Sequence, residues 1–198
     1  MKKNTVLRYL AIFLGTELFS KVAFAHPGHG LSNFNAGWFH PLQGFDHLIA
    51  ALAIGIWAAH SDESLKKVDL RIPLGFIAAM TLGLLMGRLG LPLPFYELGI
   101  QFSIALLGAS LVFQKSRTWA NTFFVSAFGI FHGNAHGIEV GGSGLNISGF
   151  LGLIAATATL HALGIAFAVF LKNLTPEKQA AWTFRSIGFG LCCFAWIV

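Results

Sequence analysis

Residues Ile147–Leu171 read ISGFLGLIAATATLHALGIAFAVFL. No Asp, Glu, Lys or Arg interrupts this run, and His161 is its only ionisable side chain. It is longer than the ~20 apolar residues a helix needs to cross a bilayer. The whole chain has the same character. Charged residues are 11% of 198, against roughly 25% in soluble domains. Hydrophobic residues are 55%, and mean hydropathy is +0.69. A water-soluble fold of this size could not hide so much apolar surface. Composition therefore excludes a soluble enzyme, a disordered chain and a conventional nucleic-acid binder, and leaves a one-domain integral membrane protein.

Five further runs have spanning length: Pro41–Ala59, Ile72–Leu89, Tyr96–Phe113, Trp119–Gly137 and Trp182–Val198. The expected architecture is all-α, a polytopic bundle of six transmembrane helices over residues 26–198. Breakers fall between runs, at Leu91-Pro92-Leu93-Pro94, Gly141-Gly142-Ser143-Gly144 and Thr175-Pro176. In the first run, Pro41 suits the first helical position, with His40 at or beside the cap. Ahead of the bundle, Met1–Arg8 is basic, Tyr9–Ser20 mostly apolar, and Ala23-Phe24-Ala25 fits the small-x-small cleavage rule. Residues 1–25 read as a cleaved signal peptide, with an uncleaved anchor as the competing reading.

The net charge of +5 and pI near 9.5 first suggest a polyanion partner. Lys2, Lys3, Arg8 and Lys21 against Glu17 put most of that charge in the leader. Topology accounts for the remainder. With the leader's basic end in the cytoplasm, Lys66, Lys67, Arg71, Lys115, Arg117, Lys172, Lys178 and Arg185 fall on the cytoplasmic side. Only Arg88 lies opposite. The chain is then a multi-pass protein of the cytoplasmic (inner) membrane, with both mature termini on the periplasmic side. Gly83-x-x-x-Gly87 and Gly133-x-x-x-Gly137 allow close helix approach, but with 23 glycines they imply no more than a tightly packed bundle. Cys192 and Cys193 read as small apolar residues of the last run, since adjacent cysteines pair only with strain.

Ionisable residues inside spans are costly and usually face a cavity or a partner. Here they cluster. The first run opens His40-Pro41-Leu42-Gln43-Gly44-Phe45-Asp46-His47. On one continuous helix His40 and His47, seven apart, lie within about 20° of each other. Gly44 would keep the backbone open between them. The fourth run ends His132-Gly133-Asn134-Ala135-His136-Gly137-Ile138-Glu139. His132, His136 and Glu139 share one helical stripe if the helix extends that far. The expected topology puts both groups in the outer half of the bilayer. Imidazole and carboxylate suit divalent nickel, cobalt, copper or zinc. His161, with Thr157 one turn before it, lies deeper. A satisfied core histidine and a transfer step are both open readings there. His60 reads as a hydrogen-bonded interfacial residue. His26 and His29 form either a weak capture site at the new N-terminus or an ordinary polar tail. Glu97 and Gln101 either line the same path or face the interface.

At these residues the chain resembles the HupE/UreJ family of nickel permeases and hydrogenase or urease accessory proteins. HPLQGFDHLIAALAIG is similar to that family's H-P-x-x-G-x-D-H-x-x-x-M-x-x-x-G, with Ala51 in place of the methionine, and FHGNAHGIE is similar to F-H-G-x-A-H-G-x-E. The resemblance implies a permease that imports nickel for metallocentre assembly, and points to His40, Asp46, His47, His132, His136 and Glu139 as functional. Cobalt or zinc could share the path, and a thioether contact at position 51 is lost. No permanently bound cofactor is expected. A cytoplasmic nickel chaperone or a hydrogenase or urease maturation protein would receive the ion. Two rival readings stand beside this one: an intramembrane hydrolase holding zinc with His and Asp or Glu, and a metal sensor that does not transport.

Overall fold

The computed structural model describes residues 31–60, 68–113, 119–140 and 146–197. The leader, His26, His29, Lys66, Lys67, Lys115, Arg117 and the glycine tract at 141–144 lie outside them. The described residues form helices and connections, with no strand among them.

Eight helices are seen: α1 Phe34–Gln43, α2 Phe45–His60, α3 Arg71–Arg88, α4 Tyr96–Phe113, α5 Trp119–Ala127, α6 Gly129–Val140, α7 Ile147–Leu174 and α8 Glu177–Ala195. Of these, α3, α4 and α7 are each long and apolar enough to cross a membrane, and α1 with α2 makes a fourth candidate as one broken span. Leu74, Leu82, Phe102, Leu163 and Phe170 are exposed. An outside this apolar suits lipid rather than water.

The first run departs from expectation. It is not one helix beginning at Pro41. Asn33 caps α1 by accepting from the Ala36 amide, so helix starts well before Pro41. Pro41 then sits in the last turn of α1 and cannot donate to the carbonyl one turn back. Gly44 follows in extended conformation, at φ −97° and ψ 111°, and α2 leaves at 89° to α1. His40 and His47 therefore stand on two helices rather than on one face. The fourth run is also two helices, broken at Phe128 between α5 and α6. α6 stays helical through Gly133 and Gly137 to Val140, so the stripe of His132, His136 and Glu139 does form. α8 has the length of a span but carries Glu177, Lys178 and Arg185.

Close approach at glycines sets the packing. Along α6, Gly129 meets Phe76 and Met80, Gly133 meets Met80 and Leu84, and Gly137 meets Leu84 and Arg88. Contact numbers rise together, so α3 and α6 run parallel. Gly83 and Gly87 press back against Ile130 and Asn134. The two G-x-x-x-G motifs are thus partners in one interface, a pairing the glycine count alone had not distinguished from chance. Phe45 packs on Phe194 and His60 on Phe184, at 5.7 and 4.4 Å between ring centroids, so α2 and α8 run antiparallel. Lys172 donates to the Ala59 carbonyl at 2.6 Å, and the Asp69 amide to that of Ala58 at 3.0 Å. One end of the bundle therefore gathers His60, Arg71 and Lys172. The other gathers the start of α2 and the ends of α3 and α6. The cysteines are free: the Cys192 thiol faces the Ala105 carbonyl at 3.5 Å, and Cys193 is exposed.

Candidate metal centre

α6 carries the site's spine. With 3.6 residues per turn, His132, His136 and Glu139 fall on one stripe. Both imidazoles are buried, and the Glu139 side chain is 57% exposed. The bend at Gly44 then brings α1 to this stripe. His40 Nε2 lies 2.9 Å from His136 Nδ1 and 3.2 Å from Glu139 Oε2, and His136 Nδ1 lies 3.7 Å from the same oxygen. Two ligands each ~2.1 Å from one ion stand roughly 3–3.5 Å apart. The three distances, 2.9, 3.2 and 3.7 Å, lie within a few tenths of an ångström of that spacing, so small side-chain adjustments let these atoms hold one cation.

α2 supplies the next pair. Asp46 Oδ1 lies 2.9 Å from His47 Nδ1, close beside Gly44, where a Cβ would come within 3.0 Å of both atoms. A carboxylate on one ring nitrogen orients the ring and leaves the other nitrogen to bind metal. His47 Nε2 is that other nitrogen, buried and without a hydrogen-bond partner among the described residues. The His47 ring centroid is 4.5 Å from that of His136 and 5.2 Å from that of His132. His40, His136, His47 and His132 thus form a continuous imidazole chain.

Sequence reasoning missed several supporting residues. Ser103 of α4 lies 2.9 Å from His132 Nε2 and donates to the Ile100 carbonyl at 2.6 Å. With its one proton given to the carbonyl, the hydroxyl accepts from the ring. His132 then carries its proton on Nε2 and has a bare Nδ1. Asn134, fully buried, accepts from the Leu93 amide at 2.7 Å and donates to the Leu91 and Gly83 carbonyls at 3.1 and 3.3 Å. It ties the loop after α3 to the site helix. The only hint in the sequence is a polar amide where the rest of the stretch is apolar, glycine or ionisable.

The cluster itself bounds a cavity lined by Pro41, His47, Ala51, Phe76, Met80, His132, His136 and Thr157. Its volume is about 10 Å³, at the lower limit for one water molecule. An ion entering it must leave its hydration shell behind. Ala51 lines this cavity, and so does the Met80 thioether, from a different helix.

Of the remaining sequence-read residues, Glu97 is exposed in the first turn of α4 at the same end of the bundle, outside the His40–His136–Glu139 group. His161 is buried on α7, with its ring 5.6 Å from Phe76. His60 lies at the far end.

The family model described as "HupE / UreJ protein" matches residues 14–197. A curated relative, Protein HupE of Rhizobium leguminosarum bv. viciae, is 37% identical over 149 residues, covering 74% of this chain and 76% of the relative. No solved structure matches. With almost the whole chain matched, both signature stretches included, the protein belongs to the HupE/UreJ family.

Proposed function

We propose that this chain is a permease that carries a divalent transition-metal ion, nickel foremost, inward across the cytoplasmic membrane for hydrogenase or urease metallocentre assembly. One observation carries the reading: His40, on a short helix turned through 89°, reaches His136 and Glu139 at 2.9 and 3.2 Å. Donors 96 residues apart converge at one end of an apolar bundle. Six crossings are proposed, as α1 with α2, α3, α4, α5 with α6, α7 and α8. The parallel α3 and α6 and the antiparallel α2 and α8 support this alternation. Arg71 and Lys172 sit at the end away from the cluster, as expected if the cluster faces the periplasm.

The ion first meets Glu139, the exposed carboxylate, with His40 and His136 beside it. It passes to His47 and His132 as its water shell is replaced. Asp46 offsets its charge through His47. Neutral imidazoles give directional nitrogen ligands at little electrostatic cost. No Walker A sequence is present, so the membrane potential is the proposed drive. It supplies about 2.3 kcal/mol per charge per 100 mV, and roughly twice that for a divalent ion. The hydrolase reading gains nothing from the geometry: Asp46 is engaged by His47, and Glu139 by His40 and His136. Neither carboxylate stands free as a general base.

The test is uptake of radioactive nickel into cells with and without the chain, competed by cobalt, zinc and copper. Accumulation should depend on the chain and be lost in His136→Ala and Glu139→Gln at unchanged protein level. Equal accumulation in all four strains would refute the proposal.

A further inference from the structure

We infer that Met80, Thr157 and His161 form a second station for the ion, built from uncharged donors, on the inner side of the histidine–carboxylate cluster. This rests on the transport reading. Met80 and Thr157 line the same cavity as His47, His132 and His136, and Thr157 Oγ1 lies 3.9 Å from Met80 Sδ. The threonine proton goes to the Leu153 carbonyl at 2.9 Å, so the oxygen lone pairs remain available beside the sulfur. His161 follows one turn inward on the same face of α7. It is 2% exposed, and neither ring nitrogen has a hydrogen-bond partner among the described residues. A buried polar group in that state calls for an explanation, and a passing cation would satisfy it.

Placement sets the order. Phe76 touches both His132 and His161, edge to face, with centroids 5.4 and 5.6 Å apart. Its ring lines the shared cavity and links His132 to the deeper His161. Met80 packs between Gly129 and Gly133, level with His132 and a turn inward of His136. The outer station has two carboxylates, Asp46 and Glu139, within its ligand network. The inner one has none. An ion therefore leaves a site that holds it by charge for one that holds it by lone pairs alone. Entry needs the first and release needs the second. The thioether and the imidazole together also favour softer, nitrogen- and sulfur-accepting ions over magnesium or calcium.

The experiment compares Met80→Leu, which conserves volume, and His161→Phe with His136→Ala in the full-length chain. Nickel affinity is measured by equilibrium dialysis on the detergent-purified chain. The saturating uptake rate is measured in cells at matched protein level, and folding is checked by thermal unfolding. The inner-station variants should keep nickel affinity within about threefold and lose about tenfold or more in maximal rate, whereas His136→Ala loses affinity. Should His161→Phe unfold, His161→Gln is read in the same way. Wild-type rates in both Met80 and His161 variants would overturn the second station. Loss of affinity equal to that of His136→Ala would also overturn it, by assigning these residues to the outer site. A wild-type chain that neither binds nor accumulates nickel or cobalt would instead overturn the transport reading itself.

Discussion

Replacing Gly133 with alanine sets two effects of opposite sign against each other. Helix propensity favours alanine by about 1 kcal/mol. Packing opposes it. A Cβ at Gly133 would lie 2.6 Å from the Met80 carbonyl carbon and 2.8 Å from the Leu84 nitrogen, where ordinary contact begins near 3.4 Å. Its nearest neighbour, the Met80 carbonyl oxygen, is closer still. Backbone cannot swing aside as a flexible side chain can, so α3 and α6 must part by roughly 1 Å in a close-packed interior. Overpacking of this kind costs about 1–3 kcal/mol, which outweighs the propensity gain. The functional loss should be larger. α6 carries His132 and His136, and a shift of that size breaks the 2.9 Å contacts to Ser103 and His40. Misplacing a reacting group by ~1 Å can cost about 10²-fold. Gly190 of α8 is the control, since a Cβ there meets nothing within 4 Å. The assay is thermal unfolding of the purified chain followed by tryptophan fluorescence, paired with nickel uptake. Gly133→Ala should unfold earlier and transport about a hundredfold more slowly, while Gly190→Ala should match or exceed wild-type stability. Equal behaviour of the two variants would refute the packing argument.

Other perturbations follow from single contacts. Ser103→Ala removes the hydroxyl that holds His132 Nε2; nickel affinity by equilibrium dialysis should fall about tenfold or more, and the buried ring N–H left unpartnered should cost about 1–3 kcal/mol in thermal unfolding. Asp46→Asn weakens the orientation of His47 and should lower affinity by about 10–100-fold in the same assay. Asn134→Ala leaves the Leu93 amide and the Leu91 and Gly83 carbonyls without their partner. It should cost about 1–3 kcal/mol in thermal unfolding.

Residue chemistry made the candidate ligands legible, and chain geometry hid how they meet. Histidines and acids stand out in an apolar sequence because only a cavity or a partner offsets their cost there. Seven- and four-residue spacings sufficed for His132, His136 and Glu139, because α6 continues through both glycines. They fail for His40 and His47, because Pro41, a residue that suits a helix start, lies in the last turn of a helix that Asn33 already caps. Ser103 and Met80 carry no spacing signal. One is a lone hydroxyl in a long apolar run, the other an apolar residue by composition, and each matters only through what the fold sets opposite it. The glycine motifs were visible, but their pairing across α3 and α6 depends on tertiary contact.

Nickel K-edge X-ray absorption of the loaded, purified chain measures most directly whether α1 and α6 share one ion. Imidazole scattering should be present, and it should decrease by one ring in His40→Ala and by one ring in His136→Ala. A spectrum without imidazole scattering, or one left unchanged by both substitutions, would contradict a centre built from those two helices.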